Sequence, residues 1–164
     1  MTHLPFYLTL PFESAFVGAR LQRLADLLET QGNAFFEAGG SATPARCASS
    51  VLFLDANGPA SLVEIARAMK QDHQLTAHRI RQLSELGFVA RKVDPHDSRK
   101  KILSLTRKGK AQADLLIERC QQAAQVFERL NVELGFNLAE ALDAAFAALE
   151  RKTIDERYSD VADQ

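Results

Sequence analysis

A short central segment, residues 61–105, restricts the fold of this chain more than any other part of its sequence. Ser61 begins a capping-box pattern, and apolar residues at helical intervals then predict a short helix over Leu62 to Met69. After a break of three residues, Asp72 is suited to cap another helix from about His73 to Leu86. The pattern therefore predicts two helices joined by a tight turn.

The second of these helices has a clear inner face, formed by Thr76, Ile80 and Leu83. Gly87 then suits the left-handed position that ends a helix. Two β-forming runs follow, at residues 88–93 and 100–105. Pro, Asp and Ser between the runs favour a turn, so the runs are expected to form a hairpin. The segment as a whole predicts a winged helix-turn-helix, in which the second helix enters the major groove of DNA.

Helical patterns on both sides of this segment bring the prediction to six helices. The four flanking helices are expected over about Phe12 to Glu37, Thr43 to Leu54, Thr106 to Glu133, and from about Leu138 onwards. The fold class expected from the sequence is therefore mainly α, with a small β-hairpin wing.

Charge is distributed unevenly along the chain. The whole sequence has a net charge of -1, but residues 62–110 carry twelve Lys and Arg against five acids, a net of +7, and the remainder carries −8. Because exposed charges interact over only about 8 Å at physiological salt, the central module keeps its own cationic field. This polarity favours a polyanionic partner such as nucleic acid, although an uneven solvated surface is the simpler alternative.

The second helix of the pair supplies the residues expected to contact bases. Those turned away from its core, or placed in its first turn, are His73, Gln74, Leu75, Ala77, His78, Arg81 and Glu85. Glutamine pairs well with adenine and arginine with guanine. Backbone phosphates are assigned to Arg79, Arg91, Lys92, Lys100 and Lys101. Arg99, at the hairpin tip, is placed to enter the adjacent minor groove.

The motifs of this segment resemble those of the multiple-antibiotic-resistance regulator (MarR) family. The matching runs are Ile65 to Met69, Leu83 to Arg91 and Asp94 to Gly109. The most specific element is Asp97-x-Arg99 followed by Leu105-Thr106-x-x-Gly109. The sequence departs from the family pattern at the turn between the two helices, where Lys70-Gln71 replaces glycine and an apolar residue.

The resemblance implies a homodimeric transcriptional regulator whose terminal helices form the dimer interface. It makes Arg99 the minor-groove arginine and Asp97 an acid that holds the wing in shape. The chain then divides into an N-terminal segment with a dimerisation helix, a DNA-binding module and C-terminal dimerisation helices, at residues 1–42, 43–110 and 111–164. The expected function is repression from a pseudo-palindromic operator on double-stranded DNA, relieved by a small-molecule effector.

Apolar residues at the N-terminus and on the terminal helices exceed what the central module can cover. The simplest account is a two-fold interface with a second copy of the chain. A second account is that some of them line an effector cavity between the dimer region and the DNA-binding module. The family often uses such a cavity for small, frequently phenolic ligands, and the two accounts are compatible.

Two cysteines leave a thiol-based redox switch as an alternative function. Cys47 lies beside Arg46 near a predicted helix start, and Cys120 lies beside Arg119; positive neighbours lower the pKa of a thiol. Two cysteines do not make a disulfide framework, which fits a reducing compartment and predicts a cytoplasmic protein. A winged helix that binds another protein is a further alternative.

Other function classes find little in the sequence. There is no phosphate-binding glycine loop, nucleophile elbow or metal-ligand cluster, so we expect neither an enzyme nor a cofactor. His73 and His78 are five residues apart, which places them on different sides of a helix and argues against a metal site. No apolar run approaches the roughly 18 residues of a membrane span.

Overall fold

The computed structural model describes residues 5–93 and 101–162 of the chain. It consists of two compact units, Met1–Arg119 and Cys120–Gln164. The helices are α1 (Val17–Ala38), α2 (Ala48–Asn57), α3 (Leu62–Ala68), α4 (His73–Glu85), α5 (Arg107–Leu134), α6 (Leu138–Arg151) and α7 (Ile154–Ala162). The strands are β1 (Ala60–Ser61), β2 (Val89–Val93) and β3 (Lys101–Leu105). The prediction of a mainly α fold with a small β-sheet is confirmed.

The two central helices begin where their caps predict. The Ser61 hydroxyl accepts a hydrogen bond from the Glu64 backbone N–H at 3.3 Å, and the Ser61 N–H donates to the Glu64 carboxylate at 2.7 Å. One carboxylate oxygen of Asp72 accepts from the backbone N–H groups of Gln74 and Leu75. Each cap satisfies backbone donors that a helix N-terminus otherwise leaves unpaired. The helix-turn-helix prediction is thus confirmed.

The sheet has three antiparallel strands in the order β1-β3-β2. Val89 pairs with Leu105 and Val93 with Lys101, so β2 and β3 form the hairpin expected from the sequence. Strand β1 was not predicted, because two residues carry no periodic signal. It forms because β3 offers a second edge for pairing.

The core of the first unit is built around the predicted inner face of α4. Thr76, Ile80 and Leu83 are fully buried, together with Phe88 and Leu116. Thr76 fits there because its hydroxyl donates to the Asp72 carbonyl oxygen at 3.0 Å, which satisfies the polar group. The predicted core-facing positions of α4 are therefore confirmed.

The start of the first predicted helix was placed too early. Helix α1 begins at Val17, and the preceding segment forms 3-10 turns at Phe6–Thr9 and Glu13–Phe16. The rings of Tyr7 and Phe12 stack on Phe16, with centroid distances of 5.7 and 6.2 Å. These aromatic contacts accompany the 3-10 turns of this segment, which are wound more tightly than an α-helix.

Thr43 does not cap the second helix, so that prediction is wrong. Its hydroxyl donates instead to Gln112 of α5 at 3.4 Å, and Pro44 precedes a 3-10 turn from which α2 continues at Ala48. The Gln112 side-chain oxygen also accepts from the Ser41 hydroxyl at 3.0 Å. A partner some 70 residues away in sequence therefore overrides the local capping signal.

Helix α7 is an addition to the six predicted helices. It begins after Thr153, whose hydroxyl accepts from the Glu156 N–H at 3.3 Å. The Thr153-x-x-Glu156 spacing was the signal that could have predicted it. Among the described residues, no helix combines the length and apolar character that a membrane span needs.

Candidate nucleic-acid interface

The exposed face of α4 carries most of the residues predicted to contact bases. Burial of Ile80 and Leu83 sets the rotation of the helix, and the opposite face then turns to solvent. The exposed members are His73, Gln74, Leu75, His78, Arg81 and Glu85, while Ala77 is half-buried. The structure therefore brings the predicted base-contacting residues together on one helix surface.

Arg79 differs from Arg81, the other arginine of α4, because its side chain folds back onto the protein. It is half-buried, and its Nη1 donates to the Gln71 side-chain oxygen at 2.5 Å. Its Nε is buried and has no hydrogen-bond partner within the described part of the chain. Arg79 thus ties α4 to the preceding turn, and its contact with a DNA phosphate stays a prediction.

The turn between α3 and α4 passes through a left-handed residue, Lys70, whose φ is +48°. Hydrogen bonds from the Lys70 N–H to the Arg67 carbonyl and from the Gln71 N–H to the Ala66 carbonyl close the turn. Glycine favours this conformation, which explains its place in the family pattern. The turn therefore adopts the left-handed conformation although Lys70 stands in place of the glycine.

The strands of the wing present further cations beside α4. Arg91 and Lys92 on β2 and Lys101 on β3 are exposed. Arg91 lies opposite Leu103, and Lys92 lies opposite Ile102. Asp97, Arg99 and Lys100, predicted to shape the wing and contact DNA, lie outside the described residues.

A cleft of about 470 Å³ separates α4 from the root of the wing, which is the start of β2 at Val89 and Arg91. Its lining residues are Leu62, Ala77, Arg81, Ser84, Val89 and Arg91. The cleft therefore has cationic side chains from both α4 and β2.

The motif Leu105-Thr106-x-x-Gly109 joins the wing to α5. The Thr106 N–H donates to the Phe88 carbonyl at 2.9 Å, and its hydroxyl donates to the Gly87 carbonyl at 2.7 Å. The same hydroxyl accepts from the Gly109 N–H at 3.0 Å, which caps α5. The motif thus fixes the start of β2 against the first turn of α5.

A second cleft, of about 490 Å³, lies between α1 and α4. Arg46 connects these helices, with its Nη1 3.1 Å from a Glu29 carboxylate oxygen and its Nε donating to the Gln82 side-chain oxygen at 3.3 Å. Asn33 and Glu37 also line the cleft. Gln82 was not predicted to take part in a site, because its contact with Arg46 spans 36 residues and leaves no local signal.

Neither cysteine has the surroundings of a reactive thiol. Cys47 is fully buried, and burial raises the pKa of its thiol despite the nearby Arg46 and Arg79. Burial also raises the pKa of Cys120. A raised pKa disfavours the reactive thiolate, so the geometry gives no support to a redox switch. Within the described ranges, no three His, Cys, Asp or Glu side chains come together as a metal site.

Comparisons with known proteins match residues 46–131 to the HxlR-like helix-turn-helix family. The transcriptional regulator SlyA is 21% identical, with a TM-score of 0.62, over 87% of this chain and 98% of that one. BpsR of Bordetella bronchiseptica is 24% identical, with a TM-score of 0.56, over 84% and 93%. A MarR transcriptional regulator from Methanosarcina mazei is 19% identical, with a TM-score of 0.58, over 84% and 98%. A search of curated proteins gave no match.

Proposed function

Because the chain belongs to the HxlR-like helix-turn-helix family and has the fold of MarR-type DNA-binding transcriptional regulators, we propose that it represses transcription as a homodimer bound to a pseudo-palindromic operator. The observation that carries this proposal is the exposed face of α4, which lies beside exposed cations on β2 and β3. Occupation of the operator blocks the promoter.

In the proposed complex, the N-terminal half of α4 lies in the major groove. His73, Gln74, Leu75 and His78 are exposed there, and Gln74 is suited to pair with adenine. Lys92 and Lys101 contact backbone phosphates, which set the register without reading sequence. Arg99 enters the minor groove, and Asp97 supports the wing, as the family resemblance implies.

The dimer is supported by apolar side chains that each unit leaves exposed. On α6, Leu142, Phe146 and Leu149 follow one another at helical spacing, and all are exposed. On α1, Val17 and Leu21 are likewise exposed. A partner copy that covers these faces removes them from water, and a two-fold axis then places two recognition helices about one DNA turn apart.

A binding selection on random duplexes, followed by fluorescence anisotropy on the selected operator, tests the proposal. We expect two related half-sites and an affinity that falls steeply with salt, by about 0.9 log units per contacted phosphate for each log unit of salt. Gln74→Ala should relax the preference at one base pair of each half-site, whereas Arg151→Ala, an exposed charge on α6, should not. A protein without any salt-sensitive affinity for duplex DNA would contradict the proposal.

The cleft between α1 and α4 is the candidate site for a small-molecule effector. Arg46 is the cation there, and it connects Glu29 with Gln82 of the recognition helix. A carboxylate bound to Arg46 competes with both partners, which changes the contact between α1 and α4 and hence the fraction of DNA-competent protein. DNA binding of BpsR from Bordetella bronchiseptica is regulated by 6-hydroxynicotinic acid, an acid of suitable size.

The effector proposal is tested with 6-hydroxynicotinic acid as the probe. We expect it to weaken binding of the wild-type protein to its operator, while Arg46→Ala binds DNA but no longer responds. Arg23→Ala, an exposed arginine elsewhere on α1, should respond like the wild type. An equal response of Arg46→Ala would place the ligand elsewhere.

A further inference from the structure

The cleft between α4 and the root of the wing combines apolar and cationic side chains. Leu62, Ala77 and Val89 are buried or half-buried, whereas Arg81 and Arg91 are exposed. Neither arginine forms an ion pair with another described residue, and two guanidinium groups beside one cleft attract an anion. The cleft therefore has the chemistry of an anion site.

The position of Arg81 along α4 argues against base reading. Recognition helices contact base edges mainly through their N-terminal residues. Arg81 follows His73 by eight residues, which at about 1.5 Å per residue is about 12 Å along the helix axis. It shares the side of α4 that carries Ala77, and both line the cleft. Arg81 thus lies beside the cleft and not in the N-terminal turn of α4.

Arg91 approaches the same cleft from the sheet. Side chains alternate along a strand, so Arg91 shares the face of β2 that carries Val89, while Lys92 lies on the opposite face. Val89 is buried, which shows that this face is turned towards the protein interior near its start. Arg91 therefore lines the cleft from the side of the sheet.

The geometry of the duplex identifies the anion. A recognition helix in the major groove and a wing in the adjacent minor groove are separated by one sugar–phosphate backbone, which passes between them. The cleft lies between the same two elements. We infer that Arg81 and Arg91 together hold one backbone phosphate in this cleft, an inference that rests on the proposed DNA-binding function. Arg81 then fixes the register of α4 and does not read a base. Base reading was the role expected for it from the sequence.

The inference is tested by salt titrations of operator binding with Arg81→Ala, Arg91→Ala and the double variant. Loss of one phosphate contact from each subunit of the dimer should reduce the slope of log affinity against log salt by about 1.8, or about 12-fold in affinity over a fourfold change of salt. Each single variant should weaken binding to the operator and to a scrambled duplex by the same factor. Because both arginines of a subunit hold the same phosphate, the double variant should lose about two slope units per dimer, one from each subunit, and not four.

The outcomes separate this inference from the proposed function. If Arg81→Ala changes the base preference at one position with an unaltered slope, Arg81 reads a base and the inference is wrong. About four lost slope units per dimer in the double variant would mean two independent contacts in each subunit, which also overturns it. Absence of duplex binding by the wild type would instead remove the proposed function, and the inference with it. Arg151→Ala serves as the matched loss of charge, and circular dichroism checks that each variant is folded.

A free phosphate compound is the other source of the same chemistry, and a calorimetric titration with inorganic phosphate distinguishes it. If the DNA backbone is the ligand, inorganic phosphate should compete only at high concentration and weaken operator binding as it does so. Tight binding of inorganic phosphate that is lost in the double variant, with operator affinity unchanged, would assign the cleft to a free anion and overturn the inference.

Discussion

Single residues at the root of the wing determine how closely β2 and α5 approach each other. A Cβ atom on Gly109 would lie 2.0 Å from the Phe88 carbonyl oxygen. That oxygen also accepts the hydrogen bond from the Thr106 N–H, so it cannot move aside without breaking this hydrogen bond. The glycine of the motif is therefore required by close packing and not by an unusual backbone angle.

Gly109→Ala should destabilise the protein by about 3 kcal/mol, because the new methyl group forces backbone atoms apart in a buried site. Urea unfolding followed by circular dichroism measures the change. Gly18→Ala is the matched control, since a Cβ there meets no atom within 4 Å, and its stability should be unchanged or higher by up to about 1 kcal/mol. Equal stabilities of the two variants would contradict the packing argument.

Lys70→Gly should raise stability by about 0.5–1 kcal/mol, because it removes a Cβ from a left-handed residue. Lys70→Ala removes the same charge but keeps the Cβ, so it should leave stability nearly unchanged. Thermal unfolding of the three proteins under identical conditions separates the two effects. A gain shared equally by both variants would point to charge instead of backbone strain.

Among the structural elements, those with local end signals could be predicted from the sequence. Helices α3 and α4 carry their caps within three residues of their own start, so their N-termini were correct. Elements that depend on distant partners could not be predicted, as Thr43 shows by bonding to Gln112 of α5. The contact of Arg46 with Gln82 and the inward fold of Arg79 likewise exist only in the assembled unit.

The first turn of α7 should lose helical structure at low pH. The Thr153 N–H and hydroxyl donate to the Glu156 carboxylate at 2.7 and 2.8 Å, and these bonds lower the pKa of Glu156. Because the pKa is lower in the folded state, the carboxylate stabilises α7 above the ordinary glutamate pKa, and this contribution is lost as the pH falls below about 4. We expect NMR shifts of α7 to report this loss of helix, and Glu156→Gln to reduce its dependence on pH.

For the whole molecule, the separation of charge and apolar surface matters more than the average composition. A net charge of -1 conceals a module of +7, so the overall isoelectric point says little about the partner. The exposed apolar side chains of α6 lie outside this cationic module. DNA binding and self-association are thus expected to use different segments of the chain.

Phe146→Glu should convert the protein to a monomer, because it places a charge in an apolar face whose Phe146 side chain is 56% exposed in the single chain. Sedimentation velocity measures the mass, and circular dichroism should show unchanged helix content. Ala144→Glu places the same charge on another side of α6 and should remain a dimer. A wild-type monomer, or dimerisation of Phe146→Glu, would contradict the proposed interface.

The contacts among Phe88, Thr106 and Gly109 also have a consequence for the order of folding. The caps of α3 and α4 close loops of two or three residues, whereas Thr106 reaches Gly87 across nineteen. Contacts that close longer loops form later, because more chain entropy is lost before they form. The contacts of Thr106 with Gly87 and Phe88 are therefore expected to form after these caps, and the Thr106 amide proton should exchange with solvent whenever the hairpin opens.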